Sequence, residues 1–206
     1  PDLPEKLYGD IVRNKQILIN LANNATKFTN SGYIAIRVRY EKSDEDTVLL
    51  KIAVEDTGIG IKQNELENLF ETFYQADSKR NRNIEGTGLG LAITKNLLKL
   101  MNGNIQVKSI YNQGSTFSYS IPQKIVDSKA SIQIENGENY HILTVGLETY
   151  AQKQLEKDAK RLGISYERFI KVEDIDLKDV DENTFLFIEH AYFSPGIENF
   201  VRNTPQ

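Results

Sequence analysis

The chain contains no cysteine, which excludes disulfides and thiolate metal sites. It has two isolated histidines, His141 and His190, and these cannot make a zinc site by themselves. Any metal held here would take oxygen ligands. No apolar run approaches the roughly 20 residues of a membrane span, and the N-terminal residues lack the charged-then-apolar order of a signal peptide. The expectation is a cytoplasmic fragment with no direct membrane contact, compatible with a membrane anchor elsewhere in a longer parent. An excess of positive charge is also missing. The net charge is −4, which argues against nucleic-acid binding. Residues 1 to 123 carry 15 basic against 14 acidic groups, the remainder 10 against 15.

What is present suits one large or two small folded domains: 206 residues, 39% of them hydrophobic, enough to bury a core. Residues 2 to 9 read as an irregular lead-in. From Asp10, a plausible N-cap, the positions Ile11, Ile17, Leu18, Leu21, Ala25 and Phe28 recur at helical spacing. Ile34, Ile36, Val38 and Tyr40 then alternate with Ala35, Arg37 and Arg39 as a half-buried strand, and a polar hairpin leads into a second strand over Val48 to Glu55. A short helix is expected about Asn64 to Phe73. Residues 74 to 87 have little to bury and read as a functional loop. A helix over 88 to 102 follows, then two strands, Ile105 to Ile110 and Ser115 to Ile121, with Pro122 ending the pattern.

Residues 123 to 138 read as a linker. A strand at Tyr140 to Val145, a helix at Glu148 to Leu162, and strands at Ser165 to Ile170 and Thr184 to Ile188 then imply a partial parallel sheet with crossovers. Such a sheet exposes an edge, so pairing with another chain or partial disorder is expected.

Four short stretches carry chemistry. Gly86-Thr87-Gly88-Leu89-Gly90-Leu91 runs glycines at alternate positions into a helix. Such a turn brings backbone amides and the positive end of a helix dipole to a phosphate, although Gly-Xaa-Gly alone also marks ordinary tight loops. Asn20 and Asn24 lie one helical turn apart with Lys27 on the same stripe, beside the apolar run Leu21, Ala25 and Phe28. A solvated polar face would look similar. At a core boundary, however, an amide oxygen suits Mg²⁺ and a lysine suits phosphate. Asp56 leaves a strand ahead of Gly58 and Gly60. A carboxylate at the bottom of a pocket selects a base bearing an exocyclic amine, such as adenine, and the glycines leave room for a flat ring. An ordinary Asp-Thr-Gly turn is the alternative.

Asn20-Leu-Ala-Asn-Asn24-Ala-Thr-Lys27, Asp56-Thr-Gly58-Ile-Gly60-Ile61, Phe70-Glu-Thr-Phe73-Tyr74-Gln75 and Gly86-Thr-Gly88-Leu-Gly90-Leu resemble the asparagine, first glycine, phenylalanine and second glycine boxes of sensor histidine kinases. They occur in family order across residues 4 to 122. The resemblance implies the Bergerat fold, an α/β sandwich with helices on one face of a mixed sheet, and ATP with Mg²⁺ as ligands. It assigns Mg²⁺ to Asn24, phosphate to Lys27, the adenine amine to Asp56, and an ATP lid to residues 74 to 87 with Arg82 reaching the phosphates. Gly86, Gly88 and Gly90 frame the lid hinge and triphosphate. Ile61, Tyr74, Thr87, Leu89 and Leu91 complete the contact set, with Ser115 or Thr116 touching the nucleotide through water.

Asn20 and Lys27 are the catalytic candidates. In ATP-hydrolysing relatives a glutamate stands four residues before the metal asparagine. Asn20 in that place has no useful basicity, so the γ-phosphoryl is better suited to transfer than to hydrolysis. The acceptor in this family is a histidine on a dimerisation domain, which this chain lacks, and the parent is expected to be a homodimer. Neither His141 nor His190 has a phosphoacceptor context. The family's first strand is expected to be shortened or absent. Residues 139 to 206 resemble, more weakly, the first half of a response-regulator receiver domain in a flavodoxin-like arrangement. Gly146-Leu147-Glu148 and Glu189-His190 stand where a working receiver needs its acidic pair and phosphoacceptor aspartate, which implies a degenerate receiver serving to dock or dimerise. The implied partners are the histidine-bearing dimerisation domain and a response-regulator receiver.

Overall fold

A computed structural model describes residues 3–74, 88–147, 149–176 and 180–192. The chain divides into two compact units, one over 3–129 and one from Ala130 onward.

In the first unit a five-stranded sheet is built from β1 (Pro4–Tyr8), β2 (Ile34–Lys42), β3 (Thr47–Asp56), β4 (Asn104–Ile110) and β5 (Gly114–Ala130). The order is β1-β5-β3-β2, with β4 also paired to β5. The β2–β3, β3–β5 and β4–β5 pairings are antiparallel. Two helices, α1 (Ile11–Phe28) and α2 (Gly90–Leu100), pack on each other and on β3 and β4. Asp10 caps α1, its carboxylate accepting the Arg13 N–H at 3.0 Å, as the sequence predicts.

The register explains the core. Alternation puts Val48, Leu50, Ile52, Val54 and Asp56 of β3 on one face, and all five are buried. Across β5 and β4 the same face gives the rows Ile52, Tyr119, Ile105 and Val54, Phe117, Val107. Ile17 and Leu21 of α1 complete this core. The Tyr119 hydroxyl donates to Asn14 Oδ1 at 2.7 Å, which ties sheet to helix, and burial raises its phenol above the usual range.

Four expectations change. A five-residue first strand exists, with Pro4 opening it, where a proline's missing N–H is tolerated. β5 continues through Pro122 to Ala130: the β3 register carries on through Leu49↔Pro122 as far as Thr47↔Lys124, and β1 pairs with β5 as well. It thereby occupies residues whose composition reads as linker. The short helix reduces to a 3₁₀ turn at Gln63–Glu65. The bonds after it run three residues back, as in Leu69 N–H to Leu66 and Glu71 N–H to Asn68, until Phe73 adopts a positive φ of 64°. Ile34, Ile36 and Val38 share the core face yet stay 38–51% exposed, because β2 is the outer strand.

The second unit pairs β6 (His141–Val145) in parallel with β7 (Ser165–Phe169) on one side and β8 (Thr184–Ile188) on the other. Helix α3 (Thr149–Leu162) connects β6 to β7. The parallel order β7-β6-β8 fits a receiver-like unit. At the carboxyl ends of its strands, Glu189 N–H donates to Val145 O at 3.0 Å. The Tyr192 ring lies so close to Gly146 that a Cβ there would sit 2.3 Å from it.

Candidate functional site

The apolar rows of the first sheet end in a polar one. Asp56, Ser115 and Ser109 are direct neighbours across β3, β5 and β4, on the same face as the buried Val54 and Phe117 and the partly buried Val107. Asp56 is buried and accepts the Gly58 N–H at 2.9 Å, with a second backbone bond from Ser115. Burial nonetheless raises its carboxyl above the ordinary aspartate value, outweighing both amide bonds. It is an acceptor at the end of a core, which is the chemistry that an amine-bearing base requires.

The glycine turn after Asp56 is clamped from two sides. Ile59 N–H donates to Phe28 O, at the end of α1, at 3.1 Å, and Asn112 N–H donates to Ile59 O at 2.7 Å. A Cβ on Gly58 would fall 2.2 Å from Phe28 O and 2.9 Å from Asp56 Oδ1, so only hydrogen fits there. Gly60 lies against Ile110 O, and the Ile61 N–H is bound by Ser109 Oγ at 2.7 Å.

Asn20, Asn24 and Lys27 climb α1 from the far end of the site. The rise from Asn20 to Phe28 is about 12 Å, so the chain of polar groups has the extent of an elongated ligand. Asn20 and Asn24 are half-buried. The Asn20 amide donates to Thr94 Oγ1 of α2 at 2.8 Å, and its oxygen leaves no room for a side chain on Gly90, whose Cβ would sit 2.5 Å away. Gly90 opens α2 against α1, so the first turn of that helix, whose amides have no intrahelical partner, begins beside Asn20. Lys27 holds its ammonium 5.3 Å from the Phe28 ring centre. Gly88 O accepts the Phe73 N–H at 3.1 Å, which joins the second glycine box to the phenylalanine box. Tyr74 is half-buried there, Leu89 is the N-cap of α2, and Leu91 and Ile61 pack on the core. Arg82, Gly86, Thr87 and the body of the expected lid lie outside the described residues.

The structure thus gathers Asn20 with Gly90, and Phe28 with Gly58, Asp56 and Ser115. It does not bring Thr116 to this group. Thr116 pairs with Glu55 and Lys108 on the opposite face of the sheet, so the polar neighbour of Asp56 is Ser115. The reason is the strand's period of two. Sequence reasoning missed Ser109; a serine at the end of the Ile105, Val107 alternation was its signal.

Among the described residues a cavity of about 510 Å³ opens between α1 and α2, lined by Val12, Ile19, Ile93, Leu97, Asn20 and Gly90 among others. Asp56 and Gly58 do not line it, so it adjoins the Asn20 and Gly90 end of the site and not the Asp56 end. No group of three or more His, Asp or Glu residues poised for a metal occurs among the described residues. Among them, too, no helix is long and apolar enough to cross a membrane.

Comparison with known proteins places the chain in a family. Residues 9–125 match the family described as histidine kinase-, DNA gyrase B- and HSP90-like ATPase. The chain is 46% identical over 136 residues to hybrid signal transduction histidine kinase B of Dictyostelium discoideum, covering 66% of this chain and 7% of that protein. It is 47% identical over 120 residues to the sensor histidine kinase GacS of Pseudomonas protegens, covering 58% and 13%. The chain therefore spans a small part of the curated relatives it matches. The crystal structure of full-length ShkA in complex with AMPPNP superposes with a TM-score of 0.66 at 25% identity, over 94% of this chain and 38% of that one.

Proposed function

The chain belongs to the histidine kinase-, DNA gyrase B- and HSP90-like ATPase family, and on that premise we propose that it is the ATP-binding catalytic module of a hybrid sensor histidine kinase. It donates the γ-phosphoryl of ATP to a histidine on a dimerisation domain of the parent, a homodimer, for relay to a response-regulator receiver. The observation that carries this reading is the buried Asp56 carboxylate, fixed by two backbone amides at the end of the core row, with Asn20, midway along α1, against Gly90. The AMPPNP complex of the structural neighbour and the kinase names of the relatives support it.

In this reading Asp56 accepts the exocyclic amine of adenine, and Gly58 and Gly60 give the ring its space. The α2 amides that open at Gly90, with Gly86, Thr87 and Gly88 before them, receive the phosphates, joined by Lys27 and Arg82. Asn24 supplies an amide oxygen to Mg²⁺. That ion is commonly held by one or two protein oxygens plus phosphates, so Asn24 fits without an acidic cluster. When bound, it would neutralise charge on the transferring phosphoryl group. Asn20 cannot act as a general base, and its amide is already committed to Thr94; transfer is favoured over hydrolysis. The apolar cleft between α1 and α2 opens beside Asn20 and Gly90, where an approaching acceptor helix would lie. The second unit acts as a degenerate receiver. Its strand ends carry Gly146, Leu147 and Glu189 in place of the acidic pair and phosphoacceptor.

The test supplies the chain with γ-labelled ATP, Mg²⁺ and a separately prepared dimerisation domain. Acid-labile, base-stable label on that domain is expected, with little phosphate release by the chain alone. Rapid hydrolysis without transfer would instead support an ATP-driven clamp, and binding without either reaction a nucleotide-responsive scaffold.

A further inference from the structure

Ser109 is the third residue of the polar row, half-buried at the end of β4 and directly opposite Ser115. Its hydroxyl has three neighbours. The Ile61 N–H donates to it at 2.7 Å, the Gly114 carbonyl accepts from it at 2.9 Å, and Ser115 Oγ lies 3.0 Å away. A serine hydroxyl owns one proton and two lone pairs. The carbonyl cannot donate, so the proton of Ser109 goes to Gly114. The peptide N–H takes one lone pair. The bond between the two serines must therefore run from Ser115 to Ser109. This fixes the direction of the Ser115 proton: it points along the sheet to β4, and the oxygen turns only lone pairs towards the side of Asp56. Asp56 is an acceptor as well, and its own two amide donors come from the backbone.

We propose that Ser109 is a positioning residue for base specificity: by holding the Ser115 proton it makes the floor beside Asp56 all-acceptor, so that a purine with an amine at position 6 is taken and a 6-oxo purine is refused. A 6-oxo group in place of the amine would meet only lone pairs on Asp56 and Ser115, with no donor to answer it directly, and an unpaired buried acceptor is costly. Ser115 is the gate and Ser109 sets it. The proposal rests on the reading that Asp56 binds the base.

The experiment titrates the whole chain with ATP and with ITP, which carries a carbonyl in place of the amine, at one Mg²⁺ concentration. The readout is the ratio of their dissociation constants. Ser109→Ala releases the Ser115 hydroxyl to rotate and donate, and the preference for ATP is expected to fall about tenfold, the worth of one neutral hydrogen bond. Ser109→Thr keeps the hydroxyl and should retain the parent ratio. Loosening of the glycine turn alone would weaken both nucleotides together and leave the ratio unmoved. In a Ser115→Ala background Ser109→Ala should no longer change the ratio, because the group it acts through is gone. If the alanine variant fails to fold, Ser109→Cys, whose sulfur is a poor acceptor, is expected to shift the ratio in the same direction. A folded Ser109 variant with an unchanged ratio, or an equal change in the Ser115→Ala background, overturns the proposal while ATP binding survives. A parent chain that binds neither nucleotide, or an Asp56→Asn variant with unaltered affinities, overturns the underlying reading and the proposal with it.

Discussion

The side-chain amide of Asn20 donates to the Thr94 hydroxyl at 2.8 Å, across the contact between α1 and α2. Thr94 is fully buried, while Asn20 stands half-buried beside Gly90. The bond holds one motif against another. Replacing Thr94 by valine keeps the volume but leaves the amide without that partner, at about 1 kcal/mol for a group that is not wholly buried. Chemical denaturation is expected to show that loss, and nucleotide titration a several-fold weaker affinity. Unaltered stability and binding would mean that the bond positions nothing.

Gly90 offers a sharper separation of folding from binding. Alanine gains about 1 kcal/mol of helix propensity over glycine, but its Cβ would lie 2.5 Å from Asn20 Oδ1, so the asparagine must swing away. Gly90→Ala is expected to melt within a few degrees of the parent while ATP affinity falls at least about tenfold, the equivalent of one good hydrogen bond. Thermal melts and titration on one preparation check both.

Asp56 gives opposite signs for stability and for ligand binding. Its folded carboxyl titrates above the ordinary 3.8 because burial disfavours the charge. The native state therefore holds its proton over a pH window in which the unfolded chain has lost it. Its contribution is most favourable below that window and becomes a cost as pH rises through the raised value. Asp56→Asn should leave stability at neutral pH equal or higher. The base amine needs the ionised acceptor, so ATP affinity should fall about 10- to 100-fold in this variant, the range for a hydrogen bond to a charged group. In the parent it should fall as pH drops through the raised value. Denaturation and binding curves over pH 3 to 7, roughly the range bracketing carboxylate titration, test the pair of signs.

Glu55 is next to Asp56 in sequence and on the other side of the sheet. It accepts from the Tyr33 hydroxyl at 2.6 Å and from the Arg37 guanidinium. Those bonds, the arginine's first, lower its carboxyl below the usual 4.5. Its contribution is present above pH 4.5 and lost as pH falls through the lowered value. The pair is partly solvated, so Glu55→Gln should cost no more than about 1 kcal/mol and leave ATP affinity unchanged. A binding loss equal to that of Asp56→Asn would contradict the assignment of faces.

The legible parts of this protein were those written in local order. Asp10 announced the start of α1, the spacing of Leu21 and Ala25 announced its buried stripe, and Asn20, Asp56, Gly58 and Gly90 stood out by residue type as candidates for a site. The missed parts depended on partners far along the chain. β1 and the far half of β5 are strands because each finds a neighbour to bond to, and Pro122 does not stop a strand whose register β3 continues to supply.

Sequence alone determined the chemistry: which groups accept, which carry charge, and which positions can do without a side chain, since those properties belong to single residues and their near neighbours. Tertiary structure alone decided the address. Cross-strand register put Ser115 rather than Thr116 beside Asp56 and set Ser109 behind it. A side chain in a strand alternates faces with every residue, and only pairing with distant strands fixes which face becomes the floor of the site.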